Sequence, residues 1–192
     1  MSGIVLVVGN GNWPSQELVD TLIDSAEFVI ALDGAADRFD SWDVVVGDLD
    51  SISNPEDFEG DSNQENSDLA KALIQYEVDA VVGIEGGRVD HRIAAFTSLF
   101  EAESGAILYF DDWRACRVGV EGLEIELPLG TKCSLMPFGN VSNVTLEGTD
   151  FELQNQNLSN GTKGVGNKTK NNLVSISHET GDLLFIWEAN AP

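Results

Sequence analysis

Asp48 and Asp50 stand two residues apart in Val44–Ser51 (VVVGDLDS), directly after a run of valines. In extended backbone that spacing turns both carboxylates to one side, as a divalent metal with oxygen ligands requires. A second segment, Gly83–His91 (GIEGGRVDH), follows another apolar run and gathers Gly86, Gly87, Arg88, Asp90 and His91. Its glycines permit close backbone approach, and Arg88 offers a forked cation that matches phosphate oxygens. A third acid-bearing turn begins with Asp33 and Gly34. An Asp-x-Asp pair alone reads first as turn or cap chemistry in an acidic chain. Three polar clusters at successive strand ends shift the balance to a ligand site, because open α/β sheets bind ligands beyond the carboxyl ends of their strands.

Other chemistries find little support. No Gly-x-x-x-x-Gly-Lys-Ser/Thr loop is present, and Gly9-Asn10-Gly11-Asn12 is a turn signal rather than a dinucleotide fingerprint. His91 and His178 lie far apart without a serine or cysteine at a recognisable spacing, which argues against a hydrolytic triad.

The elements that must position these groups alternate. Ile4–Gly9, Phe28–Asp33, Asp43–Asp48, Asp79–Ile84 and Ala106–Phe110 read as strands, mostly continuous in Val and Ile, as in a sheet covered on both faces. Helices are expected over Ser15–Ser25, Ser67–Tyr76 and Asp90–Ala102. The last has Asp90 as N-cap and an apolar face that includes Ile93, Phe96, Thr97 and Leu99. Beyond Trp113, the segments Val118–Leu127, Cys133–Met136, Val141–Glu147, Leu173–Ser177 and Leu183–Trp187 read as short strands between Gly, Asn and Ser turns. The expected architecture is an N-terminal, mostly parallel α/β domain over residues 1–114, followed by a small all-β, sandwich-like domain over 115–192. Asn155–Asn172 interrupts the β region and reads as a low-complexity stretch or a binding loop.

The 192 residues carry 33 acids against 10 Lys and Arg, a formal charge of -23 that repels nucleic acid and anionic membranes. Neither is expected as a partner. No apolar run of membrane-spanning length occurs, and the start of the chain lacks a basic export signal, so a cytoplasmic address is expected. The five Asn-x-Ser/Thr triplets, at Asn140, Asn143, Asn157, Asn160 and Asn167, then read as chance. Cys116 and Cys133 are too few for a disulfide framework and read as buried thiols.

Four ordered blocks resemble the thiamine pyrophosphokinase family. Asp33-Gly34-Ala35-Ala36-Asp37-Arg38 is similar to its Asp-Gly-Gly-Ala-Asn-Arg turn, and Gly47-Asp48-Leu49-Asp50-Ser51 to its Gly-Asp-Phe-Asp-Ser signature. The segment Asn63–Leu73 resembles its Asp-Gln-Asp-x-Thr-Asp-x-x-Lys-Ala stretch, and Gly83–His91 its Gly-x-x-Gly-Gly-Arg-x-Asp-His block. The departures are Ala35 for Gly, Asn63 and Glu65 for two acids, and Ser67 for Thr. In the β region, Thr162–Asn167 resembles a substrate-side Thr-x-Gly-Val-Ser-Asn loop, with Gly166 for Ser.

The resemblance implies a homodimer with interfacial active sites that transfers the pyrophosphoryl group of ATP to thiamine and releases AMP. It implies Mg²⁺ on Asp48, Asp50 and Asp68, with Gln64, Ser67, Lys71 and Arg88 near the polyphosphate and Asp33 and Asp90 shaping the substrate site. Gly34, Gly86, Gly87 and His91 join that site, and Thr162, Asn167 and Phe151 stand on the substrate side. By themselves, Lys71 reads as a solvated helix residue, Arg88 as an exposed partner of Asp90 or Glu85, and Phe151 equally as core or as a stacking ring. Two other functions share the metal chemistry: a pyrophosphokinase for another heterocyclic alcohol such as a hydroxymethylpterin, and a non-catalytic Mg-nucleotide-binding protein.

Overall fold

The computed structural model describes residues 3–48, 53 and 65–189 of a mixed α/β chain. Two compact units divide it, residues 1–111 and 112–192.

The first unit is built on parallel strands β1 (Ile4–Val8), β2 (Ala26–Leu32), β3 (Val44–Val46), β4 (Ala80–Val82) and β5 (Ile107–Tyr109). Their order is β3-β2-β1-β4-β5. Continuous apolar runs form these strands because both faces are covered: Leu6, Val7, Val8, Ile30 and Ala31 are wholly buried. The order reverses at β1, between β2 and β4, which makes the carboxyl ends of β1 and β4 the topological switch point of the sheet. Helix α1 (Gln16–Ser25) starts at Ser15, whose Oγ accepts from the Leu18 amide at 3.3 Å, and it buries Val19 and Leu22. Helix α2 (Asp68–Gln75) is capped by Ser67 in the same way.

Helix α3 spans Val89–Glu101 and departs from expectation at two points. Arg88, not Asp90, occupies the N-cap, and Asp90 sits in the first turn. The buried face is Ala95, Ser98 and Leu99, whereas Ile93 and Thr97 are exposed. Small residues face inward here because the helix N-terminal half borders a cleft rather than the apolar core. The described residues contain no helix long and apolar enough to cross a membrane.

The second unit is antiparallel throughout, with β6 (Trp113–Val118), β7 (Leu123–Glu126), β8 (Lys132–Glu147), β9 (Leu153–Leu158), β10 (Asn167–Lys168), β11 (Leu173–Ser177) and β12 (Thr180–Glu188). Val118–Leu127, expected as one strand, is two, split by a turn in which the Gly122 amide donates to Gly119 O at 3.0 Å. Cys133–Met136 and Val141–Glu147, expected as two, are one 16-residue strand, β8. Pro137–Asn140 reads as a break, yet pairing continues through it. The first half of β8 pairs with β12 and β10, the second half with β9 and β11. The Asn155–Asn172 stretch holds β10 and most of β9 as well as loop. Both cysteines are buried free thiols.

Candidate functional site

The carboxyl ends of the first unit's strands open into a cleft of about 770 Å³. Asp33 follows β2, Asp48 follows β3 and Asp68 opens α2, and one carboxylate oxygen from each lies within 4.8 Å of the others. Sequence reasoning grouped Asp48 and Asp68 with Asp50. The structure brings Asp33 into the group, and Asp50 and Gln64 lie outside the described residues. Asp33 is buried and has φ +40, a left-handed conformation that costs a non-glycine residue about 1–2 kcal/mol. Asp tolerates that conformation better than most residues, and it turns the chain sharply at the strand end.

Gly47 makes the cluster possible. A Cβ there would sit 2.9 Å from Asp33 Cβ and 3.3 Å from Asp68 Cγ, and its φ of +153 lies where side chains rarely go. The Gly of Gly-Asp-x-Asp is therefore a space requirement of the carboxylates beside it. Lys71 is buried to 4% exposure, with Nζ 3.1 Å from Asp68 Oδ1. A buried ammonium is costly unless paired, so the solvated-surface reading of Lys71 is overturned. It is a cation held one helical turn behind the acid cluster.

Ser67 lines the same cleft but is already engaged. Its Oγ accepts from the Ala70 amide at 3.2 Å and lies 3.2 Å from Ser98 Oγ, while Ser98 donates to Ala94 O at 2.8 Å. That consistent chain of hydroxyls ties the start of α2 to α3. Sequence reasoning missed Ser98, although His91, Ala94, Ala95 and Ser98 repeat with helical spacing and all line the cleft.

The loop after β4 forms the facing wall, where Gly86, Gly87, Arg88 and His91 join Gly34 and the acids as lining residues. Gly83 has φ +74 and a Cβ there would lie 2.2 Å from Gly9 O, so the loops after β1 and β4 meet backbone to backbone. Arg88 pairs with Asp90 through Nε to Oδ1 at 3.1 Å and Nη2 to Oδ2 at 2.5 Å. The pair is exposed, as its ion-pair reading anticipated. Their hydrogen bond, and then their opposite charges, hold the Arg88 pKa above its ordinary value; the bond to Arg88 likewise holds Asp90 below the usual carboxylate range. Asp90 also accepts from the His91 amide at 3.1 Å and is not a lining residue.

Of the remaining site residues, Thr162 lies exposed in the loop between β9 and β10. Asn167 is buried and its side chain fills every hydrogen-bonding position. Oδ1 accepts from the amides of Phe151 and Lys168 at 3.1 and 2.9 Å; Nδ2 donates to Phe151 O and Thr149 Oγ1 at 2.8 and 3.1 Å. Asn167 thus frames Phe151 rather than offering a free amide. Phe151 itself is 72% exposed, which excludes the core reading and leaves its ring face open. The sequence also concealed Asp37, whose Oδ2 accepts from the Ser53 amide and hydroxyl at 3.0 and 2.8 Å and so anchors Ser53.

Comparison with known proteins gives a domain match and a shared fold. Residues 122–183 match the family model described as thiamin pyrophosphokinase, vitamin B1 binding domain. No curated protein matches the sequence. Among solved structures, a thiamin pyrophosphokinase family protein from Enterococcus faecalis superposes with a TM-score of 0.77 at 19% identity, covering 98% of this chain and 100% of its own. Thiamin pyrophosphokinase from Geobacillus thermodenitrificans gives 0.76 at 18%, covering 98% of each chain. The yeast thiamin pyrophosphokinase gives 0.73 at 16%, covering 97% of this chain and 86% of its own. At such identities the structural likeness is one of fold. Residues 122–183 thus match a vitamin B1 binding domain, and the chain shares the fold of these thiamin pyrophosphokinase structures along nearly its whole length.

Proposed function

We propose that the protein is a thiamine pyrophosphokinase, joining thiamine and ATP to give thiamine diphosphate and AMP. One observation carries the reading: a buried Lys71 behind three converging carboxylates in a cleft at the sheet's switch point, in a chain whose other unit matches a vitamin B1 binding domain.

The donor set fits Mg²⁺, which takes oxygen ligands at about 2.0–2.1 Å in an octahedron whose neighbouring and opposite oxygens lie roughly 3 and 4 Å apart. One carboxylate oxygen each from Asp33, Asp48 and Asp68 lies within 4.8 Å of the others, close enough that small side-chain rotations bring them onto one ion, and Asp50 is assigned to the same ion from its spacing to Asp48. When bound, the ion supplies charge neutralisation for the polyphosphate and polarises the phosphorus under attack. The residues of the chain do the rest. Lys71 balances charge next to the cluster, and Arg88 turns from Asp90 to a phosphate oxygen. That exchange is inexpensive, because an exposed ion pair contributes little. The hydroxyethyl oxygen of thiamine attacks the β-phosphorus of ATP, forming a new P–O bond as the bond from that phosphorus to the α,β-bridging oxygen breaks. AMP leaves with the electron pair, and the hydroxyl proton passes to solvent. Positioning and charge neutralisation suffice for such a transfer. Phe151 receives the cationic ring of thiamine on its open face, a homodimer brings the groups of the active site together, and the cytoplasm is the site of action.

The test is product analysis with purified protein, Mg²⁺, ATP and thiamine. AMP and thiamine diphosphate are expected in equal amounts, and chelation of the metal abolishes both. ADP as product, or turnover only on a hydroxymethylpterin, overturns the assignment. In Phe151→Ala, KM for thiamine rises roughly tenfold, the worth of about 1.4 kcal/mol of cation–π contact, while stability stays within about 0.5 kcal/mol.

A further inference from the structure

The turn after β1, Gly9–Asn12, lines the acid-bearing cleft, yet its main chain is engaged elsewhere. The amides of Gly9, Gly11 and Asn12 donate to Val82 O, Gly83 O and Glu85 O at 2.8, 2.7 and 2.6 Å, clasping the loop after β4. The carbonyls are held by two side chains that do not line the cleft. Trp13 Nε1 donates to Gly9 O at 3.0 Å, and Arg38 Nη1 donates to Gly11 O at 2.6 Å and Asn10 O at 3.3 Å. The Arg38 guanidinium lies 4.2 Å from the centroid of the Trp13 ring, which in turn meets Phe39 edge-on at 5.8 Å.

A carbonyl oxygen is the negative end of the peptide dipole and repels phosphate. Residues 1–111 contain only Arg38, Lys71, Arg88 and Arg92 as cations, against 23 acids. Lys71 and Arg88 line the cleft directly; Arg38 stands behind its wall, holding two carbonyls. We propose that Arg38, seated on Trp13, is a positioning residue for the nucleotide: it draws the Asn10 and Gly11 carbonyls away from the cleft and offsets their charge, so that a polyphosphate can approach the Gly9–Asn12 turn. The proposal rests on the nucleotide reading of the cleft and adds to it a residue that touches no substrate.

Arg38→Met keeps the aliphatic stem over Trp13 and removes the fork; Arg38→Lys restores charge and one donor. In Arg38→Met, KM for Mg·ATP rises roughly tenfold, as loss of charge-assisted hydrogen bonds predicts, while kcat and KM for thiamine stay within about twofold. Arg38→Lys recovers part of the loss. Hydrogen exchange at the amides of Gly9, Gly11 and Asn12 quickens in Arg38→Met without substrate present, and binding of a nonhydrolysable Mg·ATP analogue weakens by the same factor as KM. Unchanged exchange, or looser exchange with unchanged analogue affinity, overturns the positioning role. Equal losses for both substrates together with a lowered melting temperature also overturn it, in favour of a purely structural residue. Wild-type protein that binds the analogue without making AMP overturns the pyrophosphokinase reading alone, and the affinity ratio still judges Arg38. Wild-type protein that binds no analogue overturns both.

Discussion

Gly47 carries more of the site than its size implies, because the volume it leaves empty is where Asp33 Cβ and the Asp68 carboxyl group approach. Gly47→Ala must either push Asp33 back or distort the chain before Asp48. Backbone strain of this kind costs about 1–3 kcal/mol, so urea denaturation is expected to show a loss in that range. Mg²⁺ titration of the folded variant is expected to show affinity lowered by more than tenfold, roughly what 1.4 kcal/mol at the cluster implies. Wild-type Mg²⁺ affinity would mean the carboxylates do not act as a unit. The two thiols make a separate prediction at this scale. Burial raises Cys116 to about 12, and burial with the Asp150 charge raises Cys133 to about 11. The thiolate is the reactive form, so in native protein at pH 8 a thiol reagent labels neither residue on the timescale that labels unfolded chain. Labelling of the native protein rises only as pH climbs toward those values.

At the scale of elements, the site is a set of strand ends and helix starts held in register by side-chain caps. Ser67 and Ser98 join α2 to α3, Asp37 anchors Ser53, and Asn167 frames the Phe151 turn between β8 and β9. The last is the most concentrated of these. Asn167→Ala removes both the donors and the acceptor that satisfy Phe151 and Lys168 main-chain groups. A buried group left without a partner costs about 1–3 kcal/mol; these bonds are part-buried and Phe151 O keeps the Thr149 hydroxyl, so a destabilisation of about 1–3 kcal/mol is expected in a denaturant melt. Weaker thiamine binding is expected from the misplaced Phe151 ring. A stability change below about 0.5 kcal/mol, the range of a neutral surface substitution, would contradict the role given to Asn167.

Across the whole molecule the acidity is uneven. Residues 1–111 hold 23 acids and four cations, a formal charge of -19, whereas residues 112–192 hold ten acids and six cations, a charge of -4. Self-repulsion destabilises a compact state, and salt shortens the screening length from about 10 Å at 0.1 M to about 3 Å at 1 M. The first unit is therefore expected to gain stability steeply with KCl and the second to gain little. Variants retaining either Trp13 and Trp42 or Trp113 and Trp187 as fluorescent reporters separate the two melts. Parallel salt dependence of both would rule out charge as the cause. The same repulsion explains why so few cations suffice to mark the cleft: against a charge of -19, Lys71 and Arg88 are conspicuous by their company.

Runs of Val and Ile, Ser caps and glycine-bearing strand ends made the alternation of the first unit legible, because those signals act over a few residues. Order and spacing of the motif blocks likewise marked Asp48, Asp68, Lys71 and Arg88. The sequence did not show that Asp33 joins the acids, that Lys71 is buried behind them, or that Arg38 grips a turn 27 residues before it. Nor did it show that β8 runs unbroken through Pro137, or that Phe151 stands exposed on a buried Asn167. Local propensity determines which segments are strand, helix or turn. Which distant segments meet, and how much water is left around them, depends on strand order and packing between residues far apart in the chain, and only the tertiary structure decides that.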